Sequence, residues 1–388
     1  MRYSPLRRFT FMALSITLLL SPTLAHAQGQ AATPETTARY EVTELGSLGG
    51  EFSEANGINA GGQVVGASTT APGQEPYDTG THAFLWSDGV MTDLGSLGGE
   101  SSWAIDINDA GQTVGSAETA DGATRAFLWD DGAMTDLGTL GGDHSEAIRI
   151  NEAGQVVGHS TTAPGQELLD PGTHAFLWAD GTMTDLGTLD SDWSRATGIN
   201  DAGQVVGTTE TADGAIHPFL WEDGTMIDLG TLPGFGGGRA IRISEDGLIV
   251  GFAVDPLGTP TAGPLADRRA WLYREGELID LGTLGGANSV ALGVNAAGQV
   301  VGGSEIAVAA TSLAGASPAA TEEDAPPQSR AFLWEDGVMT DLNNLVADDR
   351  DLVLETAIAI TDAGQIVGVA LVGDQHHLFN AFLLTPVA

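Results

Sequence analysis

The chain has no cysteine and no lysine among its 388 residues. Without cysteine there are no disulfide staples, no thiolate metal sites and no lipid-anchored N-terminal Cys, so stability has to come from packing. All 14 basic residues are arginine, set against 52 acids, for a formal charge of −38. Phosphate recognition depends on clustered Lys and Arg, so this balance argues against nucleic acid or anionic lipid as a partner. The charge reads instead as solubility in a salty extracellular space.

Long apolar runs are missing as well, except near the N-terminus. There Arg2, Arg7 and Arg8 precede the run Phe9 to Leu20, and Ala25-His26-Ala27 follows as a small-x-small site. The run is far short of the roughly 20 residues that cross a bilayer, so residues 1–27 read as a secretory signal peptide and no membrane span is expected. Cleavage near Ala27 removes three arginines and no acid, taking the charge to −41. The mature protein is then periplasmic or extracellular, with 28–38 a flexible lead-in. Catalytic signatures are scarce too: there is no Gly-x-Ser-x-Gly elbow, no His-Glu-x-x-His and no phosphate-binding glycine loop.

What is present is repetition. Ser-x-Ala-x-x-Ile-Asn-x-x-Gly-Gln-Val-Val-Gly is followed by His-Ala-Phe-Leu-Trp-x-Asp-Gly and then Met-Thr-Asp-Leu-Gly-Thr-Leu-Gly-Gly. The Gly-Gln element starts at Gly62, Gly111, Gly154, Gly203, Gly298 and Gly364, with Gly247-Leu248 as a drifted seventh copy. Periods of 43 to 51 residues, with one of 66, suit a four-stranded propeller blade. In the first copy Ala55 to Ile58 reads as the inner strand and Gln63 to Gly66 as the second. Ala83 to Trp86, apolar on both faces, reads as a third strand covered by neighbours on both sides. Asp88-Gly89 is a hairpin turn, and Val90 to Leu94 an outer strand. The chain starts with an orphan outer strand, Val42 to Gly46, and ends with an orphan third strand, Ala381 to Leu384. Joining them predicts an all-β fold, a closed seven-bladed β-propeller over residues 39–388 that acts as a monomer. Ser68 to Glu75 recurs unchanged at Ser160 to Glu167, 92 residues on, so the copied unit is two blades. The stretch 307–329, rich in Ala, Ser, Thr, Pro and acids, reads as a disordered loop in the sixth blade.

The runs His82 to Trp86 and His174 to Trp178, followed by Asp-Gly and by Asp-Leu-Gly-Ser-Leu or Asp-Leu-Gly-Thr-Leu, resemble the bacterial extracellular HAF-repeat family. The resemblance covers Tyr40 to Leu384 and implies export and a repeat architecture; it implies no biochemical activity. Arg125-Ala126, Arg330-Ala331, His217-Pro218 and Arg269-Ala270-Trp271-Leu272-Tyr273 depart from the motif.

The repeated letters read as construction. His82, His174 and His217 share one repeat position and are expected to make a structural hydrogen bond there. Trp86, Trp129, Trp178, Trp221 and Trp334 are expected in the core between blades. Each Asp-Gly turn offers about one carboxylate where calcium takes six to eight oxygens, so no metal and no cofactor is expected. His376 and His377 are adjacent on a loop by chance.

Function is sought where copies disagree, on the face that carries the long connections. After Leu-Gly-Gly one position holds Phe52, Ser101, His144, Trp193 and Asn288, and two residues on stand Glu54, Trp103, Glu146, Arg195, Arg239 and Val290. These are expected to ring the channel mouth and to bind an extracellular glycan or peptide. Deeper in, Asp106, Arg149 and Arg242 replace small residues, either as an ion-paired polar cluster lining the channel or as drift at a solvated position. The reading is a non-enzymatic binding module. Its alternatives are a glycan lyase or hydrolase using Glu54, Glu146 and Asp106, and a structural scaffold of an envelope or matrix.

Overall fold

The computed structural model describes residues 39–74, 79–168, 170–254, 268–307, 329–346, 352–372 and 379–387. Signal peptide and lead-in, nearly all of the 307–329 stretch, and His376 and His377 lie outside the described residues.

Seven sheets of four antiparallel strands make up the fold, as the period predicts. Blade 1 runs outward from the axis through Ser53–Ile58, Val64–Thr69, Thr81–Ser87 and Val90–Asp93. Blades 2 to 6 repeat this order, starting from the inner strands Gly98–Ile107, Ser145–Ile150, Ser194–Ile199, Gly237–Ile243 and Gly285–Val294. Blade 7 takes Leu352–Ile360, Ile366–Val372 and Phe379–Pro386 from the C-terminal end and Tyr40–Glu44 as its outer strand. Val42 lies opposite Leu384 in that pair. Each inner strand contacts the next, and the last contacts the first, so the ring is closed. Among the described residues the one helical element is a 3-10 turn at Leu342–Asn344, and no helix is long and apolar enough to cross a membrane.

The two-faced third strand explains the packing. Phe84 and Trp86 lie with Val64 against Ala359, Val367, Ala381 and Leu383 of blade 7. Ala83 and Leu85 lie with Val65 against Ala104, Ile107 and Phe127 of blade 2. The aromatic position repeats as Phe84, Phe127, Phe176, Phe219, Trp271, Phe332 and Phe382, each at most 1% exposed. At roughly 1.5–3 kcal/mol for burying such a side chain, this layer is a main source of ring stability.

Polar repeat letters join blade to blade. Ser102 Oγ accepts from Ala83 N and donates to Gly95 O, both of the preceding blade, and Ser145, Ser194 and Ser289 do the same. On the face of tight turns, Asn59 Nδ2 donates to Gln63 Oε1 within its own hairpin and to Asn108 O of the next blade. Asn108, Asn151, Asn200 and Asn295 continue that pattern around the ring. One residue along, carboxylates take the backbone N–H of the preceding turn: Asp109 from Ala60, Glu152 from Asp109, Asp201 from Glu152, Glu245 from Asp201 and Asp362 from Ala296.

The Asp-Gly turns are hairpin chemistry. Asp88 (φ 50°) and Gly89 (φ 84°) are both left-handed, as a type I′ turn requires, and the other copies match. The repeated histidines are structural, as expected: His82, His174 and His217 each place Nδ1 2.8 to 2.9 Å from the outer-strand aspartates Asp93, Asp185 and Asp228. In blade 5 Arg269 holds the same place, 3.5 Å from Asp280.

Candidate functional site in the channel wall

The inner strands share one bulge, and a glycine makes it possible. Register slips between Ala55 and Gly57 and at the equivalent place in every blade. Opposite it stands the last letter of Gln-Val-Val-Gly: a Cβ on Gly66 would overlap the Glu54 carbonyl oxygen. The same overlap meets Gly115, Gly158, Gly207, Gly251, Gly302 and Gly368 at Trp103, Glu146, Arg195, Arg239, Val290 and Thr356. The backbone at the variable position is therefore clamped identically in all seven blades while the side chain is free to differ.

Three layers of side chains follow along each inner strand. Nearest the loop face is the variable set Glu54, Trp103, Glu146, Arg195, Arg239, Val290 and Thr356. A waist comes next, with Ile105, Ile148, Ile241, Leu292 and Ile358 as its apolar members. Its two polar members, Asn56 and Thr197, donate to Ala104 O and Ala240 O of the next blade, at 3.0 and 2.9 Å. Closest to the turn face come Gly57, Asp106, Arg149, Gly198, Arg242, Gly293 and Ala359. Small residues are required where strands crowd: a Cβ on Gly57 would lie 3.0 Å from Asp106 Cα.

The residues expected at the mouth are set deeper than an open rim. Phe52 (5% exposed), Trp103 (4%) and Trp193 (9%) are enclosed, as are Glu54, Glu146 and Arg195. Trp103 packs on Ala67 of the preceding blade and on Ile105. His144 Nδ1 accepts from Thr124 N at 3.2 Å and Asn288 Oδ1 from Arg268 N at 2.9 Å, so both tie their blade to the start of the previous blade's third strand. The residues expected to ring the channel mouth are thus largely buried, with Trp103 packed between blades.

Two groups of charges remain. In the loop-face layer Glu146 stands 3.3 Å from His159 Nε2, its cross-strand partner, and His159 is fully buried. Burial holds His159 below the usual imidazole range, with Arg195 pushing the same way and Glu146 opposing. Burial works to raise Glu146, but the His159 bond and the nearby Arg195 outweigh it and leave its carboxyl below the usual range. Arg239, one blade on and half-buried, is lowered to about 10 by burial and by the like charges of Arg195 and Arg268. In the turn-face layer burial and Arg242 lower Arg149 to about 9, against the pull of Asp106. Asp106 Oδ2 accepts from Ile150 N at 3.2 Å, and Arg149 Nη1 donates back to Ile148 O at 2.6 Å. Asp106, Arg149 and Arg242 therefore sense one another's charge while two of them bond to backbone.

His159 and Arg268 belong to this region and lie outside the predicted ring. His159 follows the invariant glycine, where the other blades carry Ala67, Ser116, Thr208, Phe252, Gly303 and Val369; that variability is the signal that could have found it. Arg268 lies over the Phe252 ring at 5.0 Å and lines a small cavity with Asn288, Val290, Gly303, Glu305 and Ser329. Nearby Glu355, in the place of the repeat serine, is pushed up to about 7 by burial, against the pull of Arg330. Ser329 Oγ donates to its backbone carbonyl at 3.3 Å. No group of three or more His, Asp or Glu among the described residues is arranged to hold a metal ion.

No family model and no curated protein matches the chain. Among solved structures it is similar to TolB from Acinetobacter baumannii, at 10% identity over 84% of this chain and 80% of that one, with a TM-score of 0.39. A lectin from Aleuria aurantia in complex with Fucα1-6GlcNAc is similar at 13% identity, covering 75% and 96%, with a TM-score of 0.40. An ulvan lyase from a family of polysaccharide lyases is similar at 11% identity, covering 89% and 94%, with a TM-score of 0.42.

Proposed function

We propose that this protein is an exported, monomeric, non-enzymatic binding module that takes an extracellular glycan or peptide at the loop-face end of its channel. One observation carries the reading: the loop-face layer has its backbone clamped identically in seven blades, yet its side chains differ in nearly every one. Pure construction has no use for that variety, since the serine, alanine and isoleucine beside it hardly change. Export rests on the N-terminal arginines and apolar run, and the His-Ala-Phe-Leu-Trp repeats support placing the chain in the HAF-repeat family. A glycan and peptide array on the mature protein tests the reading. Binding of at least one class, lost on substituting Trp193→Ala and Arg195→Ala together, is the expected result; no retention of either class would sink it.

A second reading, a glycan lyase or hydrolase, is favoured by a different observation. Glu355 has its carboxyl held near neutrality, as a general acid needs, beside a cavity lined by Glu305. Product release from a polysaccharide panel, abolished by Glu355→Gln, would establish it. Turnover that survives that change would remove the assignment, and Glu54, Glu146 and Asp106 would be neutralised next. Retention on cells with no ligand in any screen would instead mark an envelope or matrix scaffold.

A further inference from the structure

The arginines of the inner strands are unevenly placed. In a protein of formal charge −38, four of 14 arginines stand on three consecutive inner strands, Arg195 and Arg239 in the loop-face layer and Arg149 and Arg242 in the turn-face layer. Arg195 and Arg239 share the loop-face layer on neighbouring blades, and Arg268 starts the third strand of the second of those blades. Arg195 is only 5% exposed, and its Nε has no hydrogen-bond partner. Trp193, two residues earlier and 9% exposed, has an unpartnered Nε1 as well. Thr173, bridged to Trp193 through the backbone, has a buried Oγ1 with no partner. The carboxylate that bears on Arg195 is Glu146, already engaged with His159, and the charges that bear on Arg239 are both cationic.

Buried guanidinium groups are unfavourable unless their donors are met, and the planar donor fork fits a carboxylate best. Here the unmade bonds are those of Arg195, Trp193 and Thr173, so cationic and neutral polar groups lie side by side. That mixture matches a sugar acid, whose single carboxylate is surrounded by neutral hydroxyls. An acidic peptide would bring its charge on a flexible stem and offer no hydroxyls to the indole and threonine.

We infer that the loop-face mouth at blades 3 to 5 recognises a carboxylate-bearing saccharide, with Arg195 and Arg239 taking the carboxylate and Trp193 and Thr173 serving adjacent hydroxyls. This rests on the binding-module reading and names its ligand class. Because the site sets two neighbouring arginines within an otherwise anionic protein, affinity comes from one sugar unit fitted closely, and long polyanions gain little from the rest of the molecule.

Calorimetry on the mature protein tests it, with trigalacturonate, a glucuronate-containing disaccharide, their methyl esters, a glutamate-rich peptide and acetate as probes. At least one acid should bind, its methyl ester tenfold or more weaker, and Arg239→Gln should weaken the acid tenfold or more without lowering the melting temperature. Arg269→Gln, on the outer side of blade 5, should leave binding unchanged. Equal affinity for acid and ester, tighter binding of the peptide, or binding of acetate as strong as that of the sugar acid would each overturn the inference. If uronates fail while a neutral glycan binds in a Trp193-dependent way, the ligand class falls and the binding-module reading stands; if no glycan or peptide binds, both fall.

Discussion

The two faces of the ring solve the same problem in opposite ways. On the turn face the hairpin polar groups are repeated and satisfied: the asparagine amides run from hairpin to neighbouring blade, and the carboxylates one residue along take the backbone N–H of the preceding turn, while Arg149 and Arg242 inside the channel keep donors unmet. On the loop face buried polar groups differ from blade to blade, and several have bonds unmade. Repetition that satisfies every group is what stability selects, and buried groups left short of partners are what a binding surface keeps. Under the proposed binding function, the turn-face hairpins serve stability and the loop face serves recognition.

The sharpest way to break the comparison is to remove what both faces depend on. Gly158→Ala should lower stability by about 3 kcal/mol or more, since a methyl group would overlap the Glu146 carbonyl and the bulge cannot yield without moving the strand. Urea unfolding would show this as a large drop in midpoint, and a drop under about 1 kcal/mol would mean that the clamp is soft.

Loop-face acidity should appear next, in the pH dependence. Glu355 is raised in the folded protein to about 7, so its contribution is complete below the unfolded carboxylate pKa and is lost as pH rises through about 7. Stability should fall by about 2–3 kcal/mol between pH 4.5 and 8 from this group, and Glu355→Gln should flatten that part of the profile. An unchanged slope in the variant would exclude it as the source.

On the turn face, Asn200→Ala removes the amide that serves Gln204 and the Ser244 carbonyl and should destabilise by about 1–2 kcal/mol. Loop-face arginine should behave in the contrary sense. Arg239→Met should leave stability unchanged or raise it by about 1 kcal/mol, because it removes a half-buried cation whose charged neighbours are also cations. If both substitutions destabilise alike, the division of labour between the faces is wrong. The smallest effect should come from His174, which is raised by its bond to Asp185, so its share of stability is present at low pH and lost as pH climbs through its folded pKa. Because Asp185 is well exposed, His174→Gln should change stability at pH 5.5 by roughly 0.5 kcal/mol and at pH 9 by less, as thermal melts at the two pH values would show.

Period and motif made the blades legible, because hairpin turns and apolar alternation are local and a sevenfold copy amplifies them. Closure was legible for the same reason: Val42 to Gly46 and Ala381 to Leu384 are complementary fragments of one sentence. Site geometry was less so. Phe52, Trp103 and Trp193 read as a ring at the channel mouth because their variability is visible in the sequence, whereas their burial depends on how neighbouring blades pack. His159 escaped because its role comes from the cross-strand pair with Glu146, a relation set by register. The roles of His144 and Asn288 depend on a neighbouring blade's backbone 20 residues away.

The seam in blade 7 has a consequence for how the ring assembles. Ser53 Oγ accepts from Ala381 N across 328 residues of chain, and Tyr40–Glu44 has to wait for Phe379–Pro386 to pair with it. Early blades can form as hairpins from local contacts, but the ring cannot shut until Phe379–Pro386 has been made. A partly made chain exposes the unpaired flank of blade 1 all that time. Folding should therefore show a late, slow phase belonging to the seam, and a chain lacking Tyr40–Glu44 should remain an open arc prone to self-association.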